Sequence, residues 1–160
     1  MRFLVRLAVV AFALGAAITA GFIFLVVASF GEPAMHELIA GLGFAGFFAL
    51  FDAIMSEGAP DVAALAIGAA LWTMALMVLV LPPAVAAAAG EIGGWRSFVW
   101  YGGASGLISA AMPWAAGAGR AGEGELRITL LLFLTGSLSG LVYWLIAGRT
   151  AGIERSEPAA

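Results

Sequence analysis

Cysteine and lysine are both absent from the 160 residues, and histidine occurs once. Without cysteine there can be no disulfide, thiolate metal site, thiol nucleophile or covalently attached haem. A single histidine, His36, rules out a bis-histidine haem site within one chain. Charge is scarce as well: Asp, Glu and Arg make up 11% of the chain, with a formal net charge of −3. All seven basic residues are Arg, dispersed along the chain. No basic stripe exists to follow a phosphate backbone, so nucleic acid is excluded as a partner.

Long apolar runs take the place of what is missing. The chain is 63% hydrophobic, too much for the polar surface of a soluble domain of this length. Five stretches, residues 3–30, 38–55, 62–81, 98–116 and 128–147, carry no Lys, Arg or Glu apart from Arg6. About 20 apolar residues cross a hydrocarbon core about 30 Å thick. In lipid each backbone N–H and C=O must be satisfied within its own segment, which makes these runs helices. The expected fold is an all-α transmembrane bundle of four to five helices, near 3–30, 38–55, 62–89, 98–116 and 128–147. Residues 1–160 then form one integral membrane domain, with a short polar tail at 148–160.

The amino end imitates a secretory signal, with Arg2 and Arg6 ahead of an apolar stretch. That stretch runs unbroken from Leu7 to Phe30, beyond the 7–15 residues of a cleavable h-region, and reads as a retained first helix. Turn and cap residues Ser56, Glu57, Gly58, Pro60 and Asp61 separate the second run from the third. Pro82-Pro83 removes two amide donors, so the third helix should kink or stop there and continue as a bent extension towards Glu91. Trp95 and Trp114 frame the fourth run about 28 Å apart at 1.5 Å per residue, a spacing that suits headgroup-level aromatics.

Arginine counts bear on topology. With five spans and the amino terminus inside, four Arg lie inside and three outside. With residues 38–55 not spanning, Arg2, Arg6, Arg96, Arg149 and Arg155 lie inside against Arg120 and Arg127. Hydropathy favours five spans, and the positive-inside bias favours four. The reading that keeps both has four full spans, both termini cytoplasmic, and 38–55 buried against the bundle or re-entrant at Gly41, Gly43 and Gly46.

Candidate chemistry is thin. Asp52 is the one acid inside an apolar run, where an ionisable group costs several kcal/mol and usually faces a cavity or partner. It can serve as a proton or cation site, or it can reach interfacial water one turn from the helix end. His36 and Glu37, with Glu32, Asp52, Glu57 and Asp61, could form an acidic mouth or a divalent-metal site. They lack a metal-binding register, and a solvated connector explains them as well. Gly41-Leu42-Gly43-Phe44-Ala45-Gly46 matches the dinucleotide fingerprint by letters but lacks the βαβ context that motif requires. Gly102 and Gly106, and Gly136 and Gly140, each stand four apart, which lets backbones approach closely in lipid. The fourth and fifth helices are therefore expected to pack on each other there, with Ser105, Ser109, Ser137 and Ser139 in the same segments; homodimerisation by the same motif is the alternative. Glu91 and Arg96 flank Gly93-Gly94 as an interfacial connector, where an exposed pair would be worth about 0–1 kcal/mol.

The stretch Leu81-Pro82-Pro83-Ala84, then Glu91, Arg96-Ser97, Tyr101 and residues 103–106, resembles a pattern in small polytopic inner-membrane proteins of alphaproteobacteria. The ending Tyr143-Trp144-Leu145-Ile146-Ala147-Gly148-Arg149 is similar to a frequent ending in those families. The resemblance covers about half the chain and excludes 38–55. It implies a bacterial inner-membrane location and a cytoplasmic carboxyl end, and it carries no activity, cofactor or catalytic residue. The expected function is that of a non-enzymatic component in the lipid bilayer, structural or accessory, working through helix contacts within a homo-oligomer or larger complex. The alternative is a small oligomeric transporter or channel with Asp52 lining its path; an enzyme would need a clustered acid–base or metal constellation, and none is visible.

Overall fold

Lipid offers a backbone no hydrogen bonds, and every regular element described here is helical. The computed structural model describes residues 2–31, Phe48, Phe51, Asp52, Met55, 62–115 and 123–151. Its elements are α1 (Arg2–Ser29), α2 (Val62–Leu79), α3 (Leu81–Gly93), α4 (Phe98–Ala115) and α5 (Glu123–Ile146), followed by a 3-10 turn at Gly148–Thr150. The chain is an all-α, membrane-associated helical bundle. Three described stretches are long and apolar enough to cross a bilayer: Leu4–Ala28, Leu76–Gly93 and Glu125–Ile146. At most 33% of any of them is buried within the protein. Residues 38–55, apart from Phe48, Phe51, Asp52 and Met55, lie outside the described residues, and with them the question whether that run spans.

Helix boundaries follow local chemistry. The third expected helix is broken just ahead of the prolines: α2 ends at Leu79, Val80 forms a turn, and Pro82 and Pro83 fall in the first turn of α3, where an amide would be unpaired in any case. Helical hydrogen bonds run through the turn, from Val80 N to Leu76 O and from Ala84 N to Val80 O. α3 ends at Gly93 rather than 89, with Gly94 beyond it at φ 64°, a left-handed conformation that favours glycine. The last helix starts at Glu123, before the apolar run begins, because acids in a first turn complement the helix dipole.

α1, α3, α4 and α5 form an up-and-down arrangement. α4 and α5 share the most extensive interface and run antiparallel, with Tyr101 beside Gly140 and Gly106 beside Phe133. A methyl group on Gly136 would lie 2.5 Å from Ser105 O, and one on Gly140 would collide with the Tyr101 carbonyl. A methyl on Gly106 would lie 2.9 Å from Phe133 O, and one on Gly102 3.3 Å from the Leu141 side chain. α1 lies against α5, also antiparallel, and Gly21 admits Ser139 at that contact.

The buried centre is built from small and aromatic residues. Ala13 and Ala17 of α1, Ala87 of α3, and Tyr101, Tyr143 and Ala147 form its main cluster. Leu25 and Leu132, with Val78 and Leu79, form a second towards the opposite end. Large side chains such as Phe12, Ile23, Leu107 and Leu130 point outward. A soluble protein would reverse this arrangement.

Candidate functional site

Four helix ends converge where α1 begins, α3 and α5 end, and α4 starts. The side chain that gathers them is Arg6. Its Nε donates to Glu91 Oε2 at 3.2 Å and its Nη2 to Glu91 Oε1 at 2.5 Å. Nη1 donates to Thr150 Oγ1 at 2.8 Å, and Nη2 also reaches Ala147 O at 3.0 Å. A two-point guanidinium–carboxylate contact is among the strongest hydrogen-bonded pairs a protein makes.

Each partner needs this arrangement. Glu91 occupies the last turn of α3, where the helix dipole disfavours negative charge, and the guanidinium offsets that cost. Ala147 O lies just past α5, one of the carbonyls that a helix end leaves without an intrahelical partner. It accepts from Arg6 and from Thr150 N and Oγ1, both at 3.2 Å, so the 3-10 turn folds back over the helix end. Ala151 beyond that turn is buried.

Two tyrosines support the pair from below. Tyr143, fully buried, donates its hydroxyl to Glu91 Oε1 at 3.0 Å. Tyr101, also fully buried, lies 5.3 Å from it between ring centroids and donates to Trp95 O at 3.0 Å. The Tyr101 ring reaches Trp95 only because Gly90 has no side chain: a Cβ there would lie 2.6 Å from its Cζ.

Around this clasp sits an aromatic rim. Trp100 Nε1 donates to Ala86 O at 3.1 Å, and the Trp95 and Trp100 rings meet edge-on at 4.1 Å. Trp144 Nε1 donates to Arg96 O at 2.7 Å, and the Arg149 guanidinium lies 4.6 Å from the centroid of the same ring. Arg96 Nε in turn donates to Ala151 O at 3.1 Å. Indoles that bury a ring and keep their N–H bonded suit the level where hydrocarbon gives way to headgroups.

The residues singled out in the sequence are distributed differently. Asp52 is helical and exposed, on the same stretch as exposed Phe48, Phe51 and Met55. His36 and Glu37 lie outside the described residues. Gly102, Gly106, Gly136 and Gly140 all lie at the α4–α5 contact. Glu91 and Arg96, read from the sequence as flanks of an interfacial connector that could pair, are engaged elsewhere: Glu91 with Arg6 and Tyr143, Arg96 with Ala151 O. The clasp itself was missed, because its members are 85 and 52 residues apart. The one available signal was a charged residue near the end of each of two apolar helices.

Four hydrogen bonds from Arg6 end on groups of this chain. Among the described residues no three His, Cys, Asp or Glu side chains gather as a metal site. No protein-family model, no curated protein and no solved structure matches this chain.

Proposed function

We propose that this chain is a non-enzymatic component of the bacterial inner membrane, an accessory or structural subunit that works by docking its helices against other membrane segments. The observation that carries the reading is the outward side of α1. Phe12, Gly15, Ala16, Thr19, Ala20 and Ile23 line an open groove there. Their spacing of three and four residues sets one face of the helix, and its small members let another backbone approach. Thr19 donates its hydroxyl to Gly15 O at 2.9 Å, which satisfies that hydroxyl in an apolar groove.

The proposed topology has four full crossings and both termini cytoplasmic. Arg6, Glu91, Tyr143 and Thr150 meet at one end, which supports α1 leaving that end, α3 returning to it, α4 leaving and α5 returning. Residues 31–61 then make no net crossing. Arg6, Arg96 and Arg149 all stand at the clasp end, in keeping with the five-to-two Arg bias by which the sequence favours this side as the cytoplasmic face.

Absence of native cysteine makes the test clean. Thr19→Cys, carrying the only thiol in the chain, should cross-link in native membranes to a specific partner. Ala16→Leu with Ala20→Leu should abolish that cross-link and the recovery of the partner in mild detergent. A chain recovered alone as a monomer, with no specific cross-link, removes the reading. The transporter reading draws on Asp52, an exposed acid on a helical stretch among Phe48, Phe51 and Met55. It requires Asp52→Asn to change cation or proton flux in liposomes while the fold persists, and unchanged flux eliminates it.

A further inference from the structure

The guanidinium groups at the clasp end are not equivalent. The charge of Arg6 is offset by Glu91. Arg96 and Arg149 are exposed, and among the described residues neither is paired with a carboxylate. Both are nonetheless held in place. Arg149 stacks on the Trp144 ring, whose Nε1 binds the Arg96 carbonyl, and Arg96 Nε is bonded to Ala151 O. Stacking and the single Nε bond hold the two side chains, and among the described residues their terminal N–H groups make no hydrogen bond.

We propose that Arg96 and Arg149, gathered about Trp144, bind the phosphate of an anionic phospholipid headgroup. Guanidinium forks match phosphate oxygens in geometry and charge. The flank is apolar: Phe98 meets Trp144 edge-on with centroids 5.8 Å apart, and both Phe98 and Leu145 are exposed. A free phosphate has no use for such a flank, whereas a lipid sets its glycerol and acyl chains there. A zwitterionic headgroup places an ammonium among the same guanidinia and is disfavoured. The site rests on the reading that this end lies at a headgroup layer, and is independent of which leaflet that is.

Native mass spectrometry of the full-length protein in mild detergent tests the site, with phosphatidylglycerol and phosphatidylcholine of matched chains as probes. Phosphatidylglycerol adducts should predominate and weaken with salt. Arg96→Gln and Arg149→Gln should each lower apparent phosphatidylglycerol affinity about fivefold, and together about thirtyfold. Arg127→Gln, at the opposite end, should leave it unchanged. Equal adducts of the two lipids, or a folded double variant that binds like the parent, overturns the proposal. Competition by inorganic phosphate alone assigns the site to a soluble anion and overturns it too. The salt titration needs no variant, so the proposal stays testable should the double variant not fold. Reporter fusions, which test the crossing pattern, fail independently of this measurement.

Discussion

Arg6 and Glu91 set the energetics at the residue scale. Removing one partner of a fully buried pair costs about 3–5 kcal/mol. Here the side chains are 27% and 18% exposed, so solvent reclaims part of that cost. Glu91→Gln is expected to destabilise the bundle by about 2 kcal/mol, read as a lowered Tm in detergent. Tyr143→Phe removes one hydrogen bond to the same carboxylate and should cost about 1 kcal/mol. Because both act on one network, the double variant should fall short of the sum of the two singles. The clasp was beyond sequence reading for a plain reason. Periodicity relates neighbours three or four apart, whereas Arg6 meets Glu91 across 85 positions. Tyr143 and Tyr101 stand near helix ends in the sequence, yet both are fully buried and one supports a charge.

Elements are where the sequence was most legible. Apolar runs in a lipid solvent admit one backbone solution, so the helices near 3–30, 98–116 and 128–147 are found within five residues of their expected ends. Pro82-Pro83 was harder. A proline pair breaks a helix interior, but at the start of a new segment it costs little, and only the turn at Val80 reveals which case applies. Glycines separate the same way. Gly140→Ala would press a methyl into the Tyr101 backbone, which cannot yield, and should destabilise by about 1–3 kcal/mol. Gly15 has nothing within 4 Å, so Gly15→Ala should be neutral or stabilise by up to about 1 kcal/mol. Parallel unfolding curves for the two variants, matched in lipid and detergent, check the contrast. Equal effects would mean that backbone propensity, not contact, governs these positions.

For the whole molecule, the number of crossings decides what faces the cell interior. Reporter fusions after Gly31 and after Gly58 should report the same side, and a fusion at Ala160 the opposite one. Opposite readings at the first two would make residues 38–55 a true span. The Arg count already posed this question without resolving it, since hydropathy and charge point different ways. The meeting of Arg6 with Thr150 and Glu91 adds a constraint that neither pattern contains: the start of α1 and the ends of α3 and α5 share a level. The groove of α1 is a face of small side chains, which says how close a helix can come and not whose helix it is.

The bond from Arg6 to Thr150 joins positions 144 residues apart. At ribosomal speeds of about 5–20 residues per second, roughly 7–30 s separate the synthesis of these two ends. Glu91, the carboxylate that meets Arg6, comes 85 residues after it, so for roughly 4–17 s of that interval the opening helix sits in the bilayer with a cation whose counter-charge does not yet exist. Its insertion must therefore be self-sufficient, driven by its own greasy flanks, with the ionic fastening arriving later and the Thr150 bond last of all. A ribosome stalled before the Glu91 codon would leave that fastening open, a flaw that membrane proteases could detect.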